Sequence, residues 1–321
     1  MKTKVVGVDI SNERTTYAIV DVRGNIIAED SLLTADYPDV NNFVTALSEK
    51  IVMLVEANGG YETIRSIGVS SPSASPTSGC IENAANLPWK GIVPLSAMLR
   101  DRIGLAVGLS NDAHVSALGE YTFGSAHGMR NFVIVSLGVG IGSCFFSAGA
   151  EHQGNLGFAG EFGHTCVVDG GRKCGCGHEG CLEAYVGAVG IVRTAEEVMA
   201  GSDKPSLMRS LVKLSPRTIS ECCDQGDELA IEVYRRTGYI LGLGLANYAS
   251  LVDPEAIILT GGISHAGKWI VAPAYESFEA HVFGNLRGKV KILTSQLDDR
   301  ERDVLGASAL AWSVPEYSLF K

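Results

Sequence analysis

Three cysteines fall within eight residues, Cys174, Cys176 and Cys181, in the spacing Cys-x-Cys-x4-Cys, and His164 stands ten residues before the first of them. Three thiolates and one imidazole suit a tetrahedral zinc ion, and four protein ligands leave no open position for water or substrate. The expected site is therefore a structural zinc centre on His164, Cys174, Cys176 and Cys181; the alternative is a group of reduced thiols. Gly170, Gly171, Gly175, Gly177 and Gly180 let the chain turn tightly enough for the thiols to converge, and Arg172 and Lys173 offset their charge. His178 is a further candidate ligand, although an exposed loop histidine is the plainer reading once four donors are named. A saturated ligand set disfavours a zinc hydrolase.

Two carboxylates flank these donors: Glu161 in Gly160-Glu-Phe-Gly-His164, and Glu183 in Gly180-Cys-Leu-Glu-Ala184. Held by one metal-tied loop, they suit a polyhydroxylated ligand, because a carboxylate accepts hydrogen bonds from paired hydroxyls in fixed geometry. A solvated acidic loop is the alternative. Asn111-Asp112 ends an expected strand, a good place for polar residues that act on a ligand.

The elements that must carry these residues follow from periodicity. Residues 4 to 9, Thr15 to Asp21 and Asn25 to Glu29 read as three strands, Val40 to Glu56 as a helix and Ile64 to Ser70 as a fourth strand. Ala106 to Leu109 is a further strand, followed by a helix from Ala113 to Phe123. Asn131 to Ser136, the turn carrying Gly138, Gly140 and Gly142, and Ser143 to Ser147 repeat the opening strand, turn, strand order. A long buried helix is expected over Asp227 to Leu251, then strands at Pro254 to Leu259 and Lys289 to Leu293, and a closing helix from Val304 to Trp312. The expectation is two α/β domains with a cleft between them: residues 1–112 plus 296–321 as a small domain, and 113–295 as a large one carrying the cysteine loop.

The chain has 321 residues, 46% of them hydrophobic, enough for two cores. Its net charge of −10, with no basic stripe, argues against nucleic acid and anionic membrane surfaces as partners. No apolar stretch approaches the roughly 18 residues of a membrane span and no leader pattern opens the sequence, so a cytoplasmic protein is expected. Cys80, Cys144, Cys166, Cys222 and Cys223 fit reduced thiols there.

The segments Asn111-Asp112-Ala113, Leu137-Gly-Val-Gly-Ile-Gly142, Gly160-Glu-Phe-Gly-His164, Cys174-Gly-Cys-Gly-His-Glu-Gly-Cys-Leu-Glu-Ala184 and Asp253-Pro-Glu-Ala-Ile-Ile-Leu-Thr-Gly-Gly262 stand in the order seen in the ROK family of bacterial sugar kinases and repressors. The chain resembles that family from Val5 to Ala311, without the DNA-binding N-terminal extension of its repressors. The resemblance implies the actin-like ATPase (ribonuclease H-like) fold and glucokinase-like, ATP-dependent phosphoryl transfer to a hexose or N-acetylhexosamine. It implies Asp112 as general base, and Asn111, Asp112, Glu161, His164 and Glu183 as sugar ligands, with Asn86 of Asn86-Leu-Pro-Trp89 beside them. It further implies Asp9 for placing magnesium, Gly138, Gly140, Gly261 and Gly262 for holding ATP phosphates, and a homodimer.

The sequence departs from the family at its first phosphate loop. Where the family reads Asp-x-Gly-Gly-Thr-Lys, this chain has Asp9-Ile-Ser-Asn-Glu-Arg14. Both glycines that admit a phosphate to the backbone are replaced, and Glu13 adds a carboxylate. At about 5 Å from a phosphate charge, in an effective dielectric of about 20, Glu13 would repel it by roughly 3 kcal/mol. Val139 stands where a threonine is usual in the second loop. A sugar-binding sensor or regulator of the same fold, with weak or lost transfer, is therefore the alternative function.

Overall fold

The computed structural model describes residues 2–84, 86–155 and 158–315. Strands β1 (Lys4–Ile10), β2 (Arg14–Asp21) and β3 (Ile26–Leu33) form an antiparallel meander. They are followed by α1 (Val40–Ala57), β4 (Ile64–Ser70), a small sheet of β5 (Ala74–Ser75), β6 (Cys80–Glu82) and β7 (Ile92–Val93), then α2 (Leu95–Ile103), β8 (Val107–Ser110) and α3 (Asp112–Phe123). Next come β9 (Phe132–Leu137), β10 (Ile141–Ser147), β11 (Ala150–Glu151), α4 (Glu183–Val186), α5 (Ala188–Ala200), α6 (Pro216–Asp224), α7 (Glu228–Val252), β12 (Ala256–Thr260), α8 (Lys268–His281), β13 (Lys291–Thr294) and α9 (Asp299–Ser313).

The chain divides into Met1–Gly128 with Gln296–Lys321, and Met129–Ser295. The first crossing thus falls after residue 128, where the sequence reading set it after residue 112. The reason is packing: α3 lies against α9, so it stays with the first unit. Within that unit the sheet order is β3-β2-β1-β4-β8, with β1, β4 and β8 parallel. The apolar stripe Phe43, Val44, Leu47, Ile51 and Val55 of α1 buries against one face of this sheet. On the other face α9 sits so close that a Cβ at Gly68 would stand 1.9 Å from the Ala307 carbonyl oxygen, which is why a glycine occupies that position.

The second unit repeats the order as β11-β10-β9-β12-β13, with β9, β12 and β13 parallel. Its core is built on α7, whose amino end is capped by Asp227 accepting from the backbone of Leu229 and Ala230. Gly238 and Gly242 let α7 approach α8, where a Cβ would meet Pro273 and the Ala274 carbonyl. The sequence reading anticipated this helix and its close packing, but not α5, α6 or α8. Pro273 interrupts the helical pattern of α8 by composition, yet the structure accommodates it inside the helix. Among the described residues no helix is long and apolar enough to cross a membrane.

Candidate functional site

In the first unit the parallel strands end in register, Asp9 beside Ser70 and Ser70 beside Ser110, so their carboxyl ends form a polar row. Asn111 follows as the N-cap of α3: its side-chain oxygen accepts from the Ala113 amide at 2.9 Å, and the Asp112 carboxylate accepts from the same amide at 2.8 Å. These bonds fix Asp112 at the first turn. Its side chain is exposed by area, and protein packed around the residue nevertheless raises its carboxyl, against the Ala113 amide and His114. Half-buried Asp9 is pushed up to about 7, first by burial and then by Asp303, with Asp112 adding to the shift and Ser70 and Arg302 opposing it.

Asp303 was not singled out from the sequence. It lies at the start of the last helix in an Asp-Asp-Arg-Glu-Arg-Asp run that reads as a solvated amino end, and nothing local signals that it faces Asp9.

The turn after Asp9 is closed on itself. The Ser11 amide donates to the Arg14 carbonyl at 3.0 Å, the Ser11 hydroxyl donates to the same carbonyl at 2.8 Å, and the Arg14 amide donates back to that hydroxyl at 3.2 Å. Glu13 is exposed. Asn86 is exposed too, on a segment anchored by Leu87 and Trp89, which are buried. The Trp89 indole donates to the Tyr37 carbonyl at 3.0 Å and its ring lies 4.4 Å from that of Phe43.

In the second unit, Gly138 and Gly261 follow β9 and β12, neighbouring parallel strands, and so come side by side. Gly261 has φ +83, and a Cβ there would press on the Leu137 carbonyl oxygen at 2.6 Å. The β9–β10 turn is held from behind by Glu183, whose Oε2 accepts from the Ile141 amide at 2.9 Å and would meet a Cβ at Gly140 at 2.5 Å. Glu183 therefore joins the glycine turn to the cysteine loop, a role its sequence position does not disclose.

One ligand atom from each of His164, Cys174, Cys176 and Cys181 lies within 4.8 Å of every other. The Cys174 Sγ to His164 Nδ1 distance is 3.6 Å and that between the Sγ atoms of Cys176 and Cys181 is 3.7 Å. A tetrahedron with bonds of about 2.3 Å to sulfur and about 2.0 Å to nitrogen has edges of about 3.8 and 3.5 Å, so this donor set fits zinc. The Cys176 thiol is drawn down to about 6, chiefly by the His178 backbone and ring, and Cys181 is pushed up to about 12 by burial and neighbouring thiols. His178 Nδ1 stands 3.6 Å from Cys176 Sγ but lies outside the four-donor group. With Nδ1 turned to Cys174, the other His164 nitrogen, Nε2, lies 4.0 Å from exposed Glu161.

A cavity of about 690 Å³ adjoins the two glycine segments, lined by Gly138 and Gly262 together with Arg217 and Tyr234, among others. Sequence reasoning missed it because α6, which supplies one wall, was not recognised. The signal was present: Ser215-Pro216 followed by Thr218 forms a capping box with proline at the first turn.

A model of the ROK family matches residues 5–314. The chain is 32% identical over 315 residues to a glucokinase of Streptomyces coelicolor, covering 95% of this chain and 96% of that one. The solved ROK family glucokinase of Streptomyces griseus, in complex with glucose and AMPPNP, superposes with a TM-score of 0.78 at 30% identity, covering 96% and 99%. A xylose repressor of Caldicellulosiruptor bescii is 26% identical over 322 residues, covering 98% of this chain and 80% of the repressor. Together with the repeated sheet order, the likeness identifies the actin-like ATPase fold.

Proposed function

The chain belongs to the ROK family, and on that premise we propose that it is a sugar kinase, transferring the terminal phosphoryl group of ATP to a hydroxyl of a hexose or N-acetylhexosamine. The observation that carries this reading is Asp112, fixed at the first turn of α3 with its carboxyl raised. A raised carboxyl is a stronger base once ionised, and in this reading it accepts the proton of the attacking hydroxyl. Asn86, Asn111, Glu161, Glu183 and the Nε2 side of His164 are assigned to sugar hydroxyls. Gly138, Gly140, Gly261 and Gly262 are assigned to the phosphates, their lack of side chains letting the phosphates approach the backbone closely. The 690 Å³ cavity beside Gly138 and Gly262 has the size for the nucleoside.

Asp9, when ionised, is assigned to magnesium, which when bound with ATP neutralises the phosphate charges. Zinc on His164, Cys174, Cys176 and Cys181 would hold the loop that carries Glu161 and Glu183. Assembly as a homodimer, checked by light scattering, and action in the cytoplasm, where thiols stay reduced, complete the proposal.

A second reading has its own support: the closed Ser11 to Arg14 turn and the likeness to a repressor favour a sugar-binding regulator with little transfer. The deciding measurement is ADP release by zinc-replete protein with ATP, magnesium and a panel of hexoses and N-acetylhexosamines. Turnover with one sugar, reduced about 10²- to 10⁴-fold in Asp112→Asn, supports the kinase. Sugar binding with neither ATP binding nor turnover replaces it by the regulator.

A further inference from the structure

Behind the cysteine loop, between α5 and α7, lies a pocket of about 350 Å³ that contains none of the residues assigned to sugar, phosphate or metal. Its walls include Arg172, Tyr185, Glu197, Arg236, Thr237 and Ile240. The Arg172 side chain is only 9% exposed and stacks over the Tyr185 ring at 4.7 Å. Its Nη1 donates to the carbonyls of Ala184 and Gly190 at 3.3 and 3.0 Å, and its Nη2 to Thr194 Oγ1 at 3.0 Å and Glu197 Oε2 at 2.6 Å.

Three of these four acceptors are built into the loop and helix. The fourth, Glu197, is a half-exposed side chain on the pocket wall, whose other oxygen accepts from Arg193 Nε at 3.2 Å, a partner that can keep it when an anion takes its place on Arg172. A buried guanidinium whose outward partner is a half-exposed carboxylate is a place where an external anion can compete. Thr237, on the same wall, is 2% exposed and its hydroxyl has no hydrogen-bond partner, an unmet polar group that a ligand can satisfy. The remaining surface, from Tyr185, Tyr239 and Ile240, offers apolar contact to the body of such a molecule.

We propose that this pocket binds a small organic anion, one carboxylate or phosphate on an apolar body, which displaces Glu197 from Arg172 and hydrogen-bonds Thr237. Binding here acts on the metal loop. Arg172 is two residues from Cys174, its carbonyl accepts from the Gly180 amide at 2.8 Å, and its own amide donates to the Tyr185 hydroxyl at 2.8 Å. The site is thus an effector site for the loop that carries Glu161 and Glu183, and its occupancy is measurable without any assay of turnover.

The test is calorimetric titration of full-length, zinc-replete protein with phenyl phosphate and with benzoate, and with inorganic phosphate as the anion lacking a body. One molecule of either organic probe should bind per chain, at least about tenfold more tightly than inorganic phosphate. Glu197→Gln, which takes the charge from the internal competitor, should tighten binding about threefold to tenfold, and Thr237→Val should weaken it about fivefold. Ile240→Trp, which fills the pocket, should abolish binding while the melting temperature holds. Failure of both organic probes to bind, binding that survives Ile240→Trp, or Glu197→Gln leaving the affinity unchanged or weaker would each overturn the proposal. Which of the two organic probes binds tells the carboxylate from the phosphate class.

Discussion

The β1–β2 turn and the β9–β10 turn hold the same place in two copies of one sheet order, and the chain closes them differently. In the first unit Ser11 spends its amide and hydroxyl on Arg14, and the turn residues carry side chains, Glu13 among them. In the second, the Gly138 amide is likewise taken, by the Gly140 carbonyl at 3.0 Å, but glycines flank Val139 and support comes from behind through Glu183. The repeated topology therefore supplies two equivalent turns, and residue choice makes the difference: Gly138 and Gly140 leave the backbone of the second open to close approach, whereas Ser11, Asn12 and Glu13 add bulk and a charge to the first.

Removing the proposed zinc should break the supported turn most severely. Chelation, or Cys176→Ser, should lower the melting temperature by about 10 °C or more and cut turnover at least about 10²-fold, with one zinc per chain lost by elemental analysis. Unchanged stability after the metal is stripped would detach the cysteine loop from the β9–β10 turn. A narrower perturbation is Gly140→Ala, which sets a methyl against Glu183 Oε2. It should reduce kcat/KM for ATP about 10- to 100-fold with a smaller effect on sugar affinity.

The reverse experiment opens the closed turn. Ser11→Gly, Asn12→Gly and Glu13→Thr together should raise kcat/KM for ATP about tenfold, since they remove the two Ser11 hydroxyl bonds, two side chains over the backbone and a like charge. No gain would mean that this turn does not limit nucleotide use. The smallest effect concerns pH. Asp9 must be ionised to hold a cation, so magnesium-dependent turnover should fall as pH drops through about 7. Asp303→Asn takes away a neighbouring carboxylate, lowers the Asp9 carboxyl, and should move that limb to lower pH. Stability follows the same sign. A carboxyl raised in the folded state from 3.8 to about 7 opposes folding increasingly as pH rises between those values, so the variant should gain stability relative to the parent at pH 8 more than at pH 4.

Much of the fold was legible because its signals are local. The β-meander, α1, the strand before Asn111 and the glycine-containing α7 follow from apolar periodicity within single segments. The division after residue 128 was not, because α3 is assigned by its packing on α9, far along the chain. Likewise α8 holds Pro273 inside a helix, where the residue type argues against one, and its packing on α7 is what keeps it there.

The four-donor cluster follows from short covalent reach: His164 and three cysteines within eighteen residues, separated by glycines, can meet with little help from the rest of the chain. Asn111 and Asp112 are likewise set by a strand end and a helix cap, which are matters of adjacent residues. What tertiary structure alone decided is which distant groups face one another: Asp303 toward Asp9, Glu183 onto the Ile141 amide, and Arg172 between Tyr185 and Glu197. Those meetings depend on how helices seat on their sheets, and side chains tens to hundreds of residues apart carry no mark of one another in sequence until packing brings them within a few ångströms.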